Sequence, residues 1–85
     1  MELKIEKLME YYYIYIYPES TKIINGALPG LISEPEEIAQ RCNIPLQDYI
    51  KILIQNKAIK TPYDMYLFKD HSAAENAIDM INNFK

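Results

Sequence analysis

The sequence predicts a small, mainly helical α+β domain: two short helices joined by a tight turn, a β-hairpin after them, and an amphipathic helix at the end. Three observations predict it. Residues 33–59 carry a helix-start signal, a turn at Asn43-Ile44-Pro45, and then apolar residues at helical spacing. Residues 58–68 place the turn-forming set Pro62 to Asp64 between runs rich in strand formers. Residues 72–84 repeat a helix-start signal and continue as an apolar stripe.

The chain has 85 residues, which is one domain, 1–85, with a thin core. An apolar share of 49% belongs to a globular chain and not to a disordered one. The single cysteine, Cys42, leaves no internal disulfide and suits a reducing cytoplasm. Charges run through the first ten residues, so a signal peptide is not expected there, and the uncharged run 11–18 is too short to span a bilayer. The net charge is −3, against a binder of nucleic acid that works by charge alone. Its distribution is uneven. Residues 1–37 hold seven acids and three lysines, whereas residues 38–71 hold Arg41, Lys51, Lys57, Lys60 and Lys69 against Asp48, Asp64 and Asp70.

In residues 2–17, Ile5, Leu8, Met9, Tyr12 and Ile16 fall at spacings of three and four, which favours a helix stopped by Pro18. The rival is a strand, because residues 13–17 alternate tyrosine and isoleucine. The tyrosines either stack on bases or serve as core and rim, the second being the commoner use. Residues 19–32 read as a loop with turns at Asn25-Gly26 and Pro29-Gly30, and Leu31-Ile32 adds a short strand. The glycines lack the spacing and the following lysine of a phosphate loop.

Ser33-x-x-Glu36 reads as a capping box with Pro35 in the first turn, and Glu34, Glu36 and Glu37 suit the positive end of the helix dipole. Ile38, Ala39 and Cys42 face inward, the last as a small apolar group and not as a reactive thiol. Asn43 ends the helix in a left-handed conformation and Ile44 plugs the space between the two helices. The next helix covers 46–57. Leu46, Tyr49, Ile50 and Leu53 point inward, Ile52 and Ile54 sit at the margins, and Gln47, Lys51 and Gln55 line the opposite face. That polar stripe suits a major groove, where glutamine pairs with adenine and lysine with guanine, although any amphipathic helix has a polar outer stripe. Lys57, Lys60 and Lys69 lie around the hairpin and, with Arg41, are candidates for phosphate contacts. Ser72-x-x-Glu75 is a second capping box, and Ala74, Ala77, Ile78, Ile81 and Phe84 form a stripe that either packs back on the domain or joins a second copy. His71 has no catalytic partner in the sequence, and the Cys/His pattern of a zinc site and the sets of nucleophilic catalysis are missing. A binding protein without metal or cofactor is expected, not an enzyme.

This order of features resembles that of the winged helix-turn-helix family. More narrowly, the chain resembles the N-terminal domain of phage replisome organisers and DnaD-type replication proteins. The residues that carry the likeness are Tyr12 to Tyr17, Gly30-Leu31, Glu36-Glu37-Ile38-Ala39, Asn43-Ile44-Pro45, Ile52 to Ile59 and Met65 to Lys69, within residues 5–70. The resemblance implies DNA binding or self-association in replication initiation. Two expectations follow. In the first, a small regulator or replication accessory of phage or mobile-element type reads duplex DNA with Gln47, Lys51 and Gln55 and holds phosphates with Arg41, Lys57, Lys60 and Lys69. In the second, a protein-interaction module, or an inhibitor of a host nucleic-acid enzyme, docks through its acidic, tyrosine-rich front half (Tyr11, Tyr13, Tyr15). A homodimer through Ile78, Ile81 and Phe84 is a further expectation.

Overall fold

The computed structural model describes residues 2–17 and 32–84. The expected loop 19–32 therefore lies outside the described residues except for Ile32, as do Asn25-Gly26, Pro29-Gly30 and Leu31. The described residues form a small α+β fold with the order β1 (Lys4–Leu8), β2 (Tyr11–Tyr15), α1 (Pro35–Arg41), α2 (Leu46–Gln55), β3 (Ile59–Lys60), β4 (Tyr66–Leu67) and α3 (His71–Asn82).

The N-terminal segment corrects the expected helix over 2–17. It is an antiparallel hairpin with Lys4 opposite Tyr15, Glu6 opposite Tyr13 and Leu8 opposite Tyr11. Period two prevails because the run is dense in tyrosine and isoleucine, which fit a half-buried pleated surface. Ile14 and Ile16 enter the core while Met9, a member of the expected helical face, is 85% exposed at the turn. Tyr12 exchanges both backbone hydrogen bonds with Phe68, just beyond β4, at 2.8 Å each, and Ile16 exchanges both with Ile32. The expected short strand at 31–32 is represented among the described residues by that Ile32 bridge.

Neither capping box forms. α1 starts at Pro35 with Glu34 as its N-cap and no side-chain cap bond. The residue before a proline is held extended, and Glu34 has ψ 130, so the helix cannot begin at Ser33. α3 starts at His71 with Asp70 as its N-cap, which places Ser72 inside the first turn, again without a side-chain cap bond.

Both paired helices end in the same way. Asn43 (φ 57) and Lys57 (φ 66) adopt left-handed conformations. The Ile44 and Ala58 N–H groups reach back to the carbonyls of Ala39 and Leu53, each at 3.0 Å, which satisfies carbonyls that the helix leaves unpaired. Ile44 is buried where it joins α1 to α2. α2 stops at Gln55, two residues short of the expected Lys57, because this reversal takes residues 56–58.

The core gathers Ile14 and Ile16 from the first hairpin, Ile38 and Ala39 from α1, Tyr49, Ile52 and Leu53 from α2, Phe68, and Ala74, Ala77 and Ile81 from α3. Its inward direction on α2 differs from expectation: Ile52 is buried, Ile50 is half-buried and Leu46 is 40% exposed. The small residues Ala74 and Ala77, both fully buried, allow α3 to approach closely, so this helix packs back on the domain.

Candidate nucleic-acid interface

The exposed half of α2 is divided lengthwise. Gln47, Lys51 and Gln55, all exposed, succeed one another at i, i+4 and i+8. Asp48, Lys51 and Gln55 border an open groove against Met80, Asn83 and Phe84 of the α3 end. The other edge is apolar: Leu46, Ile50 and Ile54 are also spaced by four, and Ile54 is 57% exposed. There a groove opens toward the second hairpin, floored by Pro35, Leu46, Ile50 and Tyr66. Its rim carries Glu34, Glu36 and Asp64 against a single cation, Lys60.

The second hairpin is short and tied down locally. Lys60 lies opposite Tyr66, and the Thr61 N–H and hydroxyl both donate to the Met65 carbonyl, at 2.8 and 3.0 Å. The Thr61 hydroxyl also accepts from the Tyr63 N–H at 3.3 Å, and Asp64 takes φ 58. This local bonding fixes the turn at the expected Pro62 to Asp64. It projects Tyr63, which is 88% exposed. Sequence reasoning gave Tyr63 no role, although an aromatic ring at the tip of a proline-containing turn is bound to be exposed.

The cations expected to meet phosphates divide into two groups. Arg41 is bound to Glu37, Nη2 to Oε1 at 3.1 Å, one helical turn away on α1. Both side chains are partly exposed, so the pair adds little stability, but it occupies the guanidinium that the sequence offered to phosphate. Lys51, Lys57, Lys60 and Lys69 are exposed and, among the described residues, have no carboxylate within ion-pair distance.

The candidate partner-binding residues are dispersed. Tyr11 and Tyr13 are half-buried and Tyr15 is 7% exposed, so the tyrosine row is not the open platform that a helix would have offered. Tyr13, Tyr15 and Tyr17 instead pack against one another along one face of the hairpin, with the Tyr15 and Tyr17 rings edge to face at 5.4 Å. Desolvation, together with nearby Glu6 and the neighbouring tyrosines, raises the Tyr13 and Tyr15 phenols above their ordinary range. On α3, Ile81 is 4% exposed inside the core and Ile78 is half-buried, while Phe84 is 37% exposed. The apolar stripe thus serves the core, and of the expected dimer residues Phe84 alone counts as exposed.

Burial pushes the Cys42 thiol up, which keeps it protonated and a poor nucleophile. His71 Nδ1 lies 3.0 Å from Glu75 Oε1, and its ring meets Tyr12 edge to face at 5.3 Å. These contacts place it at the junction of β2 and α3. Among the described residues no cluster of three His, Cys, Asp or Glu side chains stands together, and no helix is long and apolar enough to cross a membrane. Compared with protein-family models, curated proteins and solved structures, the chain finds no match.

Proposed function

We propose that the chain is a small winged helix-turn-helix protein that binds duplex DNA, as a regulator or replication accessory of phage or mobile-element type and not as an enzyme. The observation that carries this reading is the open polar stripe of Gln47, Lys51 and Gln55 on the second helix of the pair, beside a hairpin bearing Lys60. α1 and the Ile44 turn hold α2, the glutamines and Lys51 address base edges, and Lys57, Lys60 and Lys69 meet phosphates. Arg41 contributes once it exchanges Glu37 for a phosphate oxygen. The test is a gel shift with random duplex at low salt. Retardation at about tens of micromolar protein is expected, the range of non-specific binders at physiological salt, and no retardation there would contradict the reading.

The second reading is a protein-interaction module, and one observation favours it. The wing-side edge of α2 exposes Leu46 and Ile54 next to an acid-rimmed groove, an apolar surface bordered by charge of the kind proteins use to meet one another. The same acids repel phosphate, so failure of the gel shift favours this reading over the first.

A further inference from the structure

Among the described residues the first hairpin leaves one strand edge without a partner strand, and the direction of its backbone groups follows from the pairing. Tyr12 and Ile16 direct their backbone groups to Phe68 and Ile32, away from β1. Neighbouring residues of a strand alternate in direction, so Tyr11, Tyr13 and Tyr15 direct theirs toward β1. Their opposite residues, Lys4, Glu6 and Leu8, therefore bond inward. It follows that Ile5 and Lys7, with Leu3 before them, point their N–H and C=O groups outward from an edge that has no partner strand among the described residues. Lys4, Glu6, Lys7 and Leu8 are all exposed, and among the described residues no strand pairs with this edge, which an open groove separates from His71, Glu75, Ile78 and Asp79 of α3.

Charged residues on an edge strand usually prevent pairing with another chain. Here their order does the opposite in one register. Lys4 and Glu6 share a face, opposite Tyr15 and Tyr13. When two copies of β1 run antiparallel about a two-fold axis through Ile5, Lys4 of each lies directly across from Glu6 of the other. In that register the outward-pointing residues also coincide: Ile5 faces Ile5, and Leu3 faces Lys7, so every outward N–H from Leu3 to Lys7 meets a carbonyl. Moving the axis to Glu6 sets Glu6 against Glu6, and moving it to Lys4 or Lys7 sets lysine against lysine, each a like-charge pair; moving it to Leu3 sets Glu2 across from Lys4 but shifts the pairing almost wholly off the strand Lys4–Leu8.

We propose that the open edge of β1 is a homodimer interface, in which a second copy of this chain extends the sheet through the Ile5-centred register. The partner is argued from the self-complementary charges, and the inference does not depend on DNA binding.

The test uses light scattering on the full chain over a concentration series, with circular dichroism as a check of fold. Wild type is expected to reach twice the monomer mass. Lys4→Glu and Glu6→Lys each turn both cross-strand ion pairs repulsive, so each raises the dissociation constant by about tenfold or more. An equimolar mixture of the two variants restores oppositely charged pairs at both positions and is expected to dimerise at least as tightly as wild type. The double variant K4E/E6K, which exchanges the charges within one chain, should also dimerise. Wild type that stays monomeric at its highest attainable concentration overturns the proposal. So do single variants that dimerise like wild type, or folded single variants whose mixture stays monomeric.

Discussion

Four residues other than glycine adopt positive φ, one at each reversal of the described chain: Met9, Asn43, Lys57 and Asp64. Asn43 and Asp64 tolerate that conformation, but Met9 and Lys57 lack the short polar side chain that eases it. Lys57→Gly should therefore stabilise the fold by about 0.5–1 kcal/mol, the left-handed strain relieved less the added entropy of glycine in the unfolded chain. Urea unfolding checks this, and Lys57→Val in the same assay should lose stability. Tyr49 offers a second test. It is 1% exposed, and burial holds its phenol well above the ordinary value of 10.0. Below pH 10 the phenol is protonated in both states and its contribution is fully present. Above that, the unfolded chain releases the proton while the folded chain retains it, so stability falls by up to about 1.4 kcal/mol per pH unit from this group until the folded-state value is reached. Tyr49→Phe should flatten the decline above about pH 10. A decline as steep as wild type would show that the phenol is not held in the core.

At the scale of elements, the pair of helices, the second hairpin and the closing helix were legible because their signals are local. Pro35, Asn43 and the Pro62 to Asp64 turn each act through their own backbone or immediate neighbours. The first hairpin was not, because the run 11–17 supports two periods and the deciding contacts come from Phe68 and Ile32, distant in sequence. The inward direction of α2 was partly misjudged for a similar reason. Periodicity locates an apolar arc, but Leu46, Ile50 and Ile54 extend it beyond what the core can cover, and packing against α1 and α3 selects Tyr49, Ile52 and Leu53. This is measurable. Ile52→Ala should cost about 2–4 kcal/mol, a large fraction of the stability of a domain this small, whereas Leu46→Ala should cost under about 1 kcal/mol. Equal shifts in denaturant midpoint would contradict the burial pattern.

At the scale of the molecule, the question is which partner an acidic chain with a polar stripe holding one lysine selects. The net charge of −3 sets a repulsive background for DNA, so the proposed binding requires the lysines of 51–69 to act locally, within a Debye length of about 10 Å at moderate salt. The candidate stripe was readable in the sequence because exposure follows from helical period. The pairing of Arg41 with Glu37 and the acid rim opposite Lys60 were not, since they depend on where α1 and the hairpin place their side chains around α2. Whether α2 and the second hairpin meet DNA is decided by titrating a labelled duplex with wild type and with Lys51→Ala/Lys60→Ala over a range of salt concentrations. The double variant should bind more weakly and with a shallower salt dependence, its slope reduced by about 1 for each phosphate that a lysine no longer neutralises. Equal affinity and an equal slope for the two proteins would contradict DNA binding by this face.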